Sequence, residues 1–213
     1  MAERRPIATR ETGWARALAA ATARTGLTAN SISVIGAVFA LVAGGAFLLS
    51  GGPGWRAWLV VAAFGIQLRL LCNMLDGMVA VEHGQATAVG ALYNDVPDRI
   101  ADTAILVGAG YALAVGGWNP MLGWACALMA LFTAFVRVLG GALGTPQYFF
   151  GPQSKSQRMA VLTGGALLAA GMPSTTRAGQ VITLALVVIL AGSTVTVVRR
   201  VQRIARELRS HGP

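Results

Sequence analysis

The chain is poor in charged residues, which make up 12% of its 213 positions and include only eight acids. Soluble domains usually carry about a quarter charged residues, so this composition argues against a soluble domain. Cysteine is also scarce, with only Cys72 and Cys126, each inside an apolar stretch. Two cysteines so placed form neither a disulfide framework nor a metal-ligand spacing, and we expect both to be packed.

A small-residue cleavage site is absent after the first apolar stretch, which follows some thirty largely polar and basic residues. We therefore do not interpret this stretch as a secretory signal. The apolar residues, 55% of the chain, fall in long blocks that predict an all-α integral membrane fold with six transmembrane helices. We expect a single membrane domain over residues 1–213, with spans at 32–49, 58–81, 89–115, 121–143, 159–170 and 181–198.

Basic residues are concentrated on one predicted side of the membrane. Seven positions precede the first span or lie between the fourth and fifth, five follow the sixth, and only Arg56 and Arg177 fall on the opposite side. This bias predicts cytoplasmic N- and C-termini in a bacterial-type inner (plasma) membrane. Basic termini lying against anionic lipid headgroups account for the net charge of +9, so we expect no nucleic-acid partner.

The segment 10–25 has two possible structures. Its spacing places Trp14, Leu18 and Ala21 on one helical face, which suits a short basic helix lying in the membrane interface. A loosely ordered basic leader is the alternative, and the sequence leaves both open.

Five of the eight acids fall within 27 positions of the predicted membrane region, at Asp76, Glu82, Asp95, Asp98 and Asp102. A carboxylate in hydrocarbon is costly, so such a cluster needs a compensating cation and usually marks function. In an antiparallel pair of the second and third spans, Asn73 and Asp76 share one face while Asn94 and Asp98 share the facing one. We expect the four side chains to converge near the cytoplasmic membrane edge, where oxygen ligands suit Mg²⁺, Mn²⁺ or Ca²⁺.

Arginines in the same spans offer a different explanation. Arg69 and Arg99 could neutralise part of the cluster by ion pairing, with or without a metal ion. Arg137, in the cytoplasmic half of the fourth span, needs a partner as well. It could bind a substrate phosphate together with Lys155 and Arg158, or pair with an acid of the cluster; both remain open.

The acidic run resembles the motif of the CDP-alcohol phosphotransferases, also called class I CDP-alcohol phosphatidyltransferases. The family pattern is D-x2-D-G-x2-A-R-x8-G-x3-D-x3-D, and residues 73–98 of this chain read N-x2-D-G-x2-A-V-x8-G-x3-N-x3-D. Every spacing is kept, and five of the eight fixed positions match: Asp76, Gly77, Ala80, Gly90 and Asp98. Residues 28–33 and the basic loop 151–158 also resemble family segments, so the likeness covers nearly the whole chain.

The resemblance implies that the chain displaces CMP from a CDP-linked lipid or alcohol with an acceptor alcohol, in phospholipid biosynthesis. It implies one or two Mg²⁺ or Mn²⁺ ions at Asn73, Asp76, Asn94 and Asp98, with Asp98 also taking the proton from the acceptor hydroxyl. Substrate contacts are expected at Asn30, Gly77, Ala80, Gly90, Arg137, Lys155 and Arg158. CDP-diacylglycerol is the default donor, the acceptor is open, membrane lipids surround the protein, and the family is commonly dimeric, so we expect a homodimer.

Three departures from the pattern keep alternatives open. Asn73 and Asn94 replace two acids, and Val81 replaces the arginine. An amide offers an oxygen but no charge, so either fewer ions bind or the substrate diphosphate, Asp95 or Asp102 contributes. A catalytically silent lipid-binding relative is one alternative function, and a cation transporter is another, since intramembrane carboxylates also line ion paths.

Overall fold

The computed structural model describes residues 8–82, 87, 89–114 and 119–210. Within these ranges the regular structure is entirely helical. The α-helices are α1 (Gly13–Arg24), α2 (Ala29–Leu49), α3 (Trp55–Glu82), α4 (Gly90–Gly110), α5 (Asn119–Ala142), α6 (Lys155–Ala170) and α7 (Thr175–Ser210). Helices α2 to α7 correspond in order to the six predicted spans.

Helices α2, α3, α5 and α7 are each long and apolar enough to cross a membrane. The chain is therefore an integral membrane protein. Helix α4 carries four charged side chains, and α6 has only 16 residues. The count of six spans and the cytoplasmic position of both termini accordingly stay predictions.

The six long helices contact one another in a ring, in the order α2, α3, α6, α7, α5, α4 and back to α2. Buried apolar side chains fill the interior, among them Phe47, Leu59, Ile66, Ile105 and Leu186. Large apolar side chains also cover the outside, including Val38, Leu41, Phe64, Leu128 and Leu184. Helices that are apolar on both their inner and outer faces are typical of a membrane bundle.

Glycine allows α2 to approach α4 closely. A Cβ atom on Gly108 would lie 2.5 Å from the carbonyl oxygen of Gly44, a distance that real Cβ atoms do not adopt. Helix α2 packs against both α3 and α4, whereas the described parts of α3 and α4 meet mainly through polar side chains. The second and third spans therefore face each other through these polar side chains, as the sequence predicts, while small residues draw both helices onto α2.

Helix α1 is a packed element. Ala15 and Ala19 are fully buried and belong to an apolar cluster with Met78 and Val79 of α3. Trp14, in contrast, is 55% exposed and lies outside this packed face. Small side chains at Ala15 and Ala19 let α1 lie close to α3. Its position in the membrane interface stays a prediction.

Candidate active site

The four polar motif positions meet between α3 and α4. The Asn73 side-chain amide donates to Asp98 Oδ1 over 3.1 Å, and the Asn94 amide is 3.4 Å from Asp76 Oδ2. The convergence that the sequence predicts is therefore present. The four side chains divide into an Asn73–Asp98 pair and an Asn94–Asp76 pair, and each pair contains one amide and one carboxylate.

Protein cations surround the carboxylate of Asp98. Arg69 donates to Asp98 Oδ1 over 3.0 Å, and the Lys155 ammonium donates to Asp98 Oδ2. Arg69 also bonds Asp102 Oδ1 at 2.9 Å, while Arg158 bonds Asp102 Oδ2 at 3.1 Å. Because the side chains of Arg69 and Arg158 are only 2% exposed, these pairs form a buried charge network beneath the motif.

The carboxylate of Asp76 has a different environment. Asp76 is 3% exposed, and its Oδ2 accepts a 2.6 Å hydrogen bond from the Ser33 hydroxyl of α2. Its Oδ1 is buried without a hydrogen-bond partner among the described residues. Buried polar atoms are nearly always satisfied, so this oxygen has room for a further donor or a bound ion. The sequence analysis missed Ser33, although it belongs to the segment 28–33 that resembles the family.

These contacts test whether the residues fit the divalent ions that the family resemblance implies. No group of three or more His, Cys, Asp or Glu side chains that could hold a metal ion occurs in the described part of the chain. Amide oxygens would have to complete the ligand set. Asp76, with an open buried oxygen, fits an ion, whereas both oxygens of Asp98 already contact protein cations. Asp102 is likewise engaged on both oxygens and supplies no extra ligand.

One cleft, with a volume of about 450 Å³, collects every site residue that the sequence predicts. Its lining includes Asn30, Asn73, Asp76, Gly77, Ala80, Gly90, Asn94, Asp98, Arg137, Lys155 and Arg158. Six basic and three acidic side chains line the cleft among the described residues. This excess of positive charge favours anionic ligands, because the surrounding low dielectric focuses the field.

Arg137 of α5 forms another part of the cleft lining. Its guanidinium donates to Asp95 Oδ1 over 3.1 Å and to the side-chain oxygen of Gln147 over 2.8 Å. It also lies 5.3 Å from the centre of the Phe149 ring. Pairing of Arg137 with an acid, one of the two alternatives from the sequence, is thus present, yet 16% of the side chain stays exposed. Gln147 and Phe149 carry no motif, and the sequence analysis did not identify them.

The loop between α5 and α6 positions the first residues of α6. Gly151, at a φ of +136°, packs against Thr196 of α7, and the backbone N–H of Gln153 donates to Thr196 Oγ1 over 3.1 Å. Arg158 then donates 2.8 Å to the Gln153 carbonyl and 3.2 Å to Thr133 Oγ1. These contacts fix where Lys155 and Arg158 enter the cleft.

Replacement of Gly151 by alanine is expected to destabilise the protein by about 2 kcal/mol. The new Cβ would lie 2.4 Å from Thr196 Cγ2, and the backbone conformation disfavours any side chain. Thermal unfolding in detergent measures the loss as a lower Tm. Gly164→Ala is the matched control, because its new Cβ would meet no atom within 4 Å and alanine favours a helix. Equal Tm values for Gly151→Ala and the unchanged protein would contradict this explanation of the loop.

Comparison with known proteins finds similarity to lipid synthases. No model of a known protein family matches it. It is 25% identical over 192 residues to the phosphatidylinositol phosphate synthase of Streptomyces avermitilis, covering 86% of this chain and 75% of that protein. It is 34% identical over 107 residues to the corresponding synthase of Mycolicibacterium smegmatis, covering 50% of this chain and 46% of that protein. The chain is thus similar to members of the CDP-alcohol phosphatidyltransferase family.

Solved structures agree with the fold of this family. The Mycobacterium tuberculosis phosphatidylinositol phosphate synthase with bound CDP-DAG superposes with a TM-score of 0.71 at 21% identity, covering 89% of this chain and 92% of that one. The same enzyme in complex with manganese and citrate gives a TM-score of 0.73 at 20% identity. The likeness to phosphatidylinositol phosphate synthases supports a transferase for substituted phosphate groups in phospholipid biosynthesis.

Proposed function

We propose that the chain transfers a phosphatidyl group from CDP-diacylglycerol to a phosphorylated acceptor alcohol and releases CMP. The observation that carries this proposal is the single cleft that contains the acidic motif on one side and an excess of basic side chains overall. Two anionic substrates need such a cleft, since each carries phosphate charge. The names of the relatives, phosphatidylinositol phosphate synthases, support a phosphorylated polyol as acceptor.

The reaction forms one bond and breaks one. The acceptor oxygen bonds to the phosphatidyl phosphorus, the bond from that phosphorus to the bridging oxygen breaks, and CMP leaves with the bridging oxygen. The acceptor proton passes to the Asp98 carboxylate. Asp98 lines the cleft and its side chain is 12% exposed, so an acceptor hydroxyl can approach it. A base placed next to the acceptor hydroxyl assists attack by removing that proton in the transition state.

A divalent ion such as Mg²⁺ or Mn²⁺, when bound, would offset negative charge on the diphosphate. The sequence assigns its ligands to Asn73, Asp76, Asn94 and Asp98. Of these, Asp76 has an open oxygen and would be the first carboxylate ligand, because both oxygens of Asp98 already contact protein cations. The manganese complex of the mycobacterial synthase supports the use of a divalent ion.

Small residues on the motif side would border the donor. Gly77, Ala80 and Gly90 line the cleft together with Asn30 of α2, and we assign these four to the cytidine nucleotide. Small side chains let a flat base and its ribose approach the helix backbone closely. Arg137, Lys155 and Arg158 remain our candidates for phosphate contacts. Arg137 is the foremost of these for the acceptor phosphate, because Arg158 is 1% exposed and bonded to Asp102.

Arg137→Ala is expected to raise the KM for a phosphorylated acceptor roughly 10- to 100-fold, with a smaller change in kcat. Charge-assisted hydrogen bonds contribute about 1.5–3 kcal/mol, and every 1.4 kcal/mol is about tenfold in affinity. Initial rates of CMP release at varied acceptor concentration give both constants. Arg56→Ala, which removes an arginine that bonds the Met172 carbonyl outside the cleft, should leave KM unchanged. A KM unaltered by Arg137→Ala would refute the assignment of Arg137.

CMP release from CDP-diacylglycerol tests the proposed function itself. Purified chain in detergent should release CMP only when both a divalent ion and a phosphorylated acceptor, such as inositol phosphate or glycerol phosphate, are present. A silent lipid-binding relative would bind CDP-diacylglycerol and release none. Ion flux through vesicles that contain the chain, without CMP release, would instead favour a transporter.

We further propose that α2 to α7 all cross the membrane, that both termini and the cleft face the cytoplasm, and that the chain forms a homodimer. The concentration of arginine at both ends of the chain and the basic start of α6 support this orientation. Single cysteines placed at either terminus of a variant without Cys72 and Cys126 should resist a membrane-impermeant thiol reagent in intact cells. Labelling of either terminus from outside would overturn the orientation.

A further inference from the structure

We propose that the Lys155 ammonium takes the place of a second metal ion, so that the site binds one divalent ion and not two. The inference presupposes the proposed function. Its evidence is the arrangement of charged side chains around the Asn73–Asp98 and Asn94–Asp76 pairs. It concerns how this chain functions with amides at two positions where its family has acids.

The single lysine of the chain lies within the Asn73–Asp98 pair. Its Nζ donates to Asn73 Oδ1 over 2.7 Å and also to Asp98 Oδ2, so one ammonium contacts both members of the pair. Lys155 is the only lysine among 17 basic residues, and the other sixteen are arginines. A lysine ammonium is a compact point charge with three donors, whereas a guanidinium is a planar fork. Of the two side chains, the ammonium resembles a small bound cation more closely.

The two pairs differ in how much positive charge lies next to them. The Asn73–Asp98 pair contains one carboxylate, and Lys155 neutralises it; Arg69, at 3.0 Å from Asp98 Oδ1, adds a further positive charge. A divalent ion placed there would face two cations in a site where burial reduces screening. Repulsion therefore disfavours a metal ion at this pair.

Among the described residues, no basic side chain forms an ion pair with Asp76 of the Asn94–Asp76 pair, although the charge of Lys155 acts on Asp76 from a greater distance. Asp76 accepts from the neutral Ser33 hydroxyl and lies near the neutral Asn94 amide, and its Oδ1 has no partner in the described part of the chain. Asp76 is only 3% exposed, but the residue lines the cleft, so this pair borders the space that an ion would enter. The one divalent ion would bind here. One carboxylate would offset only one of its two positive charges, and the substrate diphosphate would offset the other.

Counting bound Mn²⁺ tests the inference directly. Electron paramagnetic resonance of the purified full chain in detergent, titrated with Mn²⁺ with and without CDP-diacylglycerol, should give one ion per chain and the signal of an isolated Mn²⁺. Binding should be tighter when CDP-diacylglycerol is present. Two ions per chain, an exchange-coupled Mn²⁺ signal, or no bound Mn²⁺ would each overturn the inference.

Variants assign the effect to the lysine. Lys155→Met should bind two ions per chain, because Asp98 Oδ2 and Asn73 Oδ1 lose the ammonium that they contact and become free to ligate an ion. Arg137→Met removes a cation of the same cleft that contacts neither pair, and should still bind one ion. One ion in Lys155→Met would show that the lysine does not exclude the second metal. The count for the unchanged chain stays decisive if a variant fails to fold.

The outcomes distinguish this inference from the proposed function. A chain that binds one Mn²⁺ but releases no CMP supports the inference and refutes the proposed transfer reaction. A chain that binds two Mn²⁺ and releases CMP retains the transfer reaction and refutes the role of Lys155.

Discussion

Asp98→Asn is expected to lower CMP release by roughly 10²- to 10⁴-fold, the range in which a general base contributes to catalysis. Asparagine keeps the shape of the side chain and one oxygen but cannot accept the acceptor proton at neutral pH. Asp98 is the motif carboxylate that the Asn73 amide, Arg69 and Lys155 hold in place at the cleft. We therefore expect the asparagine side chain to stay in place without accepting the proton, so that the rate of the chemical step falls.

Two further measurements separate a base from a structural anchor in this variant. CDP-diacylglycerol should still bind to Asp98→Asn, because the small residues that we assign to the nucleotide lie elsewhere in the cleft. Asp95→Asn is the matched control: it makes the same change on the same helix, in a side chain that is 46% exposed and paired with Arg137. Its activity should fall far less. Equal activity losses in the two variants would refute the assignment of Asp98 as the base.

Arg69→Met is expected to destabilise the protein by about 3–5 kcal/mol, as removal of one partner from a buried ion pair does. Arg69 is 1% exposed and bonds both Asp98 and Asp102, at 3.0 and 2.9 Å. Methionine fills part of the volume but leaves two carboxylates in a dry environment with less compensation. The loss should be visible as a lower midpoint of denaturant unfolding in mixed micelles.

Arg99→Met provides the comparison for that loss. Arg99 lies on α4 beside the same cluster, but its side chain is 25% exposed and its carboxylate contacts are 3.7 and 3.9 Å long. Pairs so exposed contribute about 0–1 kcal/mol, because water screens them. An unfolding midpoint equally low in both variants would show that burial of the Arg69 network does not determine stability.

Helix positions followed from the sequence because the membrane restricts what a span can be. A run of about 20 apolar residues must satisfy its backbone within a helix, so the middle of each predicted span lies in one of α2 to α7. The sequence determined the ends of the helices less well than their positions. Helix α7 continues to Ser210, beyond the predicted end at 198, because a change from apolar to basic residues marks the membrane surface and not the end of the helix.

The motif side of the site also followed from the sequence. Spacing alone placed Asn73 one turn from Asp76 and Asn94 one turn from Asp98, and the cross-helix hydrogen bonds have this register. The partners of these residues could not be derived in the same way. Ser33 is 43 positions from Asp76, and Lys155 is 82 positions from Asn73. Contacts so distant along the chain depend on how α2 and α6 pack, which local periodicity does not encode.

The two asparagines determine whether the chain is active or a silent relative. With two amides in place of acids, a site that needs two metal ions would lack the charge to hold them. A site completed by Lys155 and one divalent ion at Asp76 retains a base, a cation and an open cleft. Activity is then compatible with the amides, and the prediction of catalysis rests on contacts that are present in the structure.

Product analysis tests the proposed reaction most directly. The purified chain is incubated with CDP-diacylglycerol, Mn²⁺ and inositol phosphate or glycerol phosphate, and CMP and the lipid product are both quantified by mass spectrometry. We expect equal amounts of CMP and of a phosphatidyl lipid that carries the phosphorylated acceptor, with far less of both from Asp98→Asn. Unchanged CDP-diacylglycerol that stays bound to the protein, with no CMP and no new lipid, would contradict the proposed reaction.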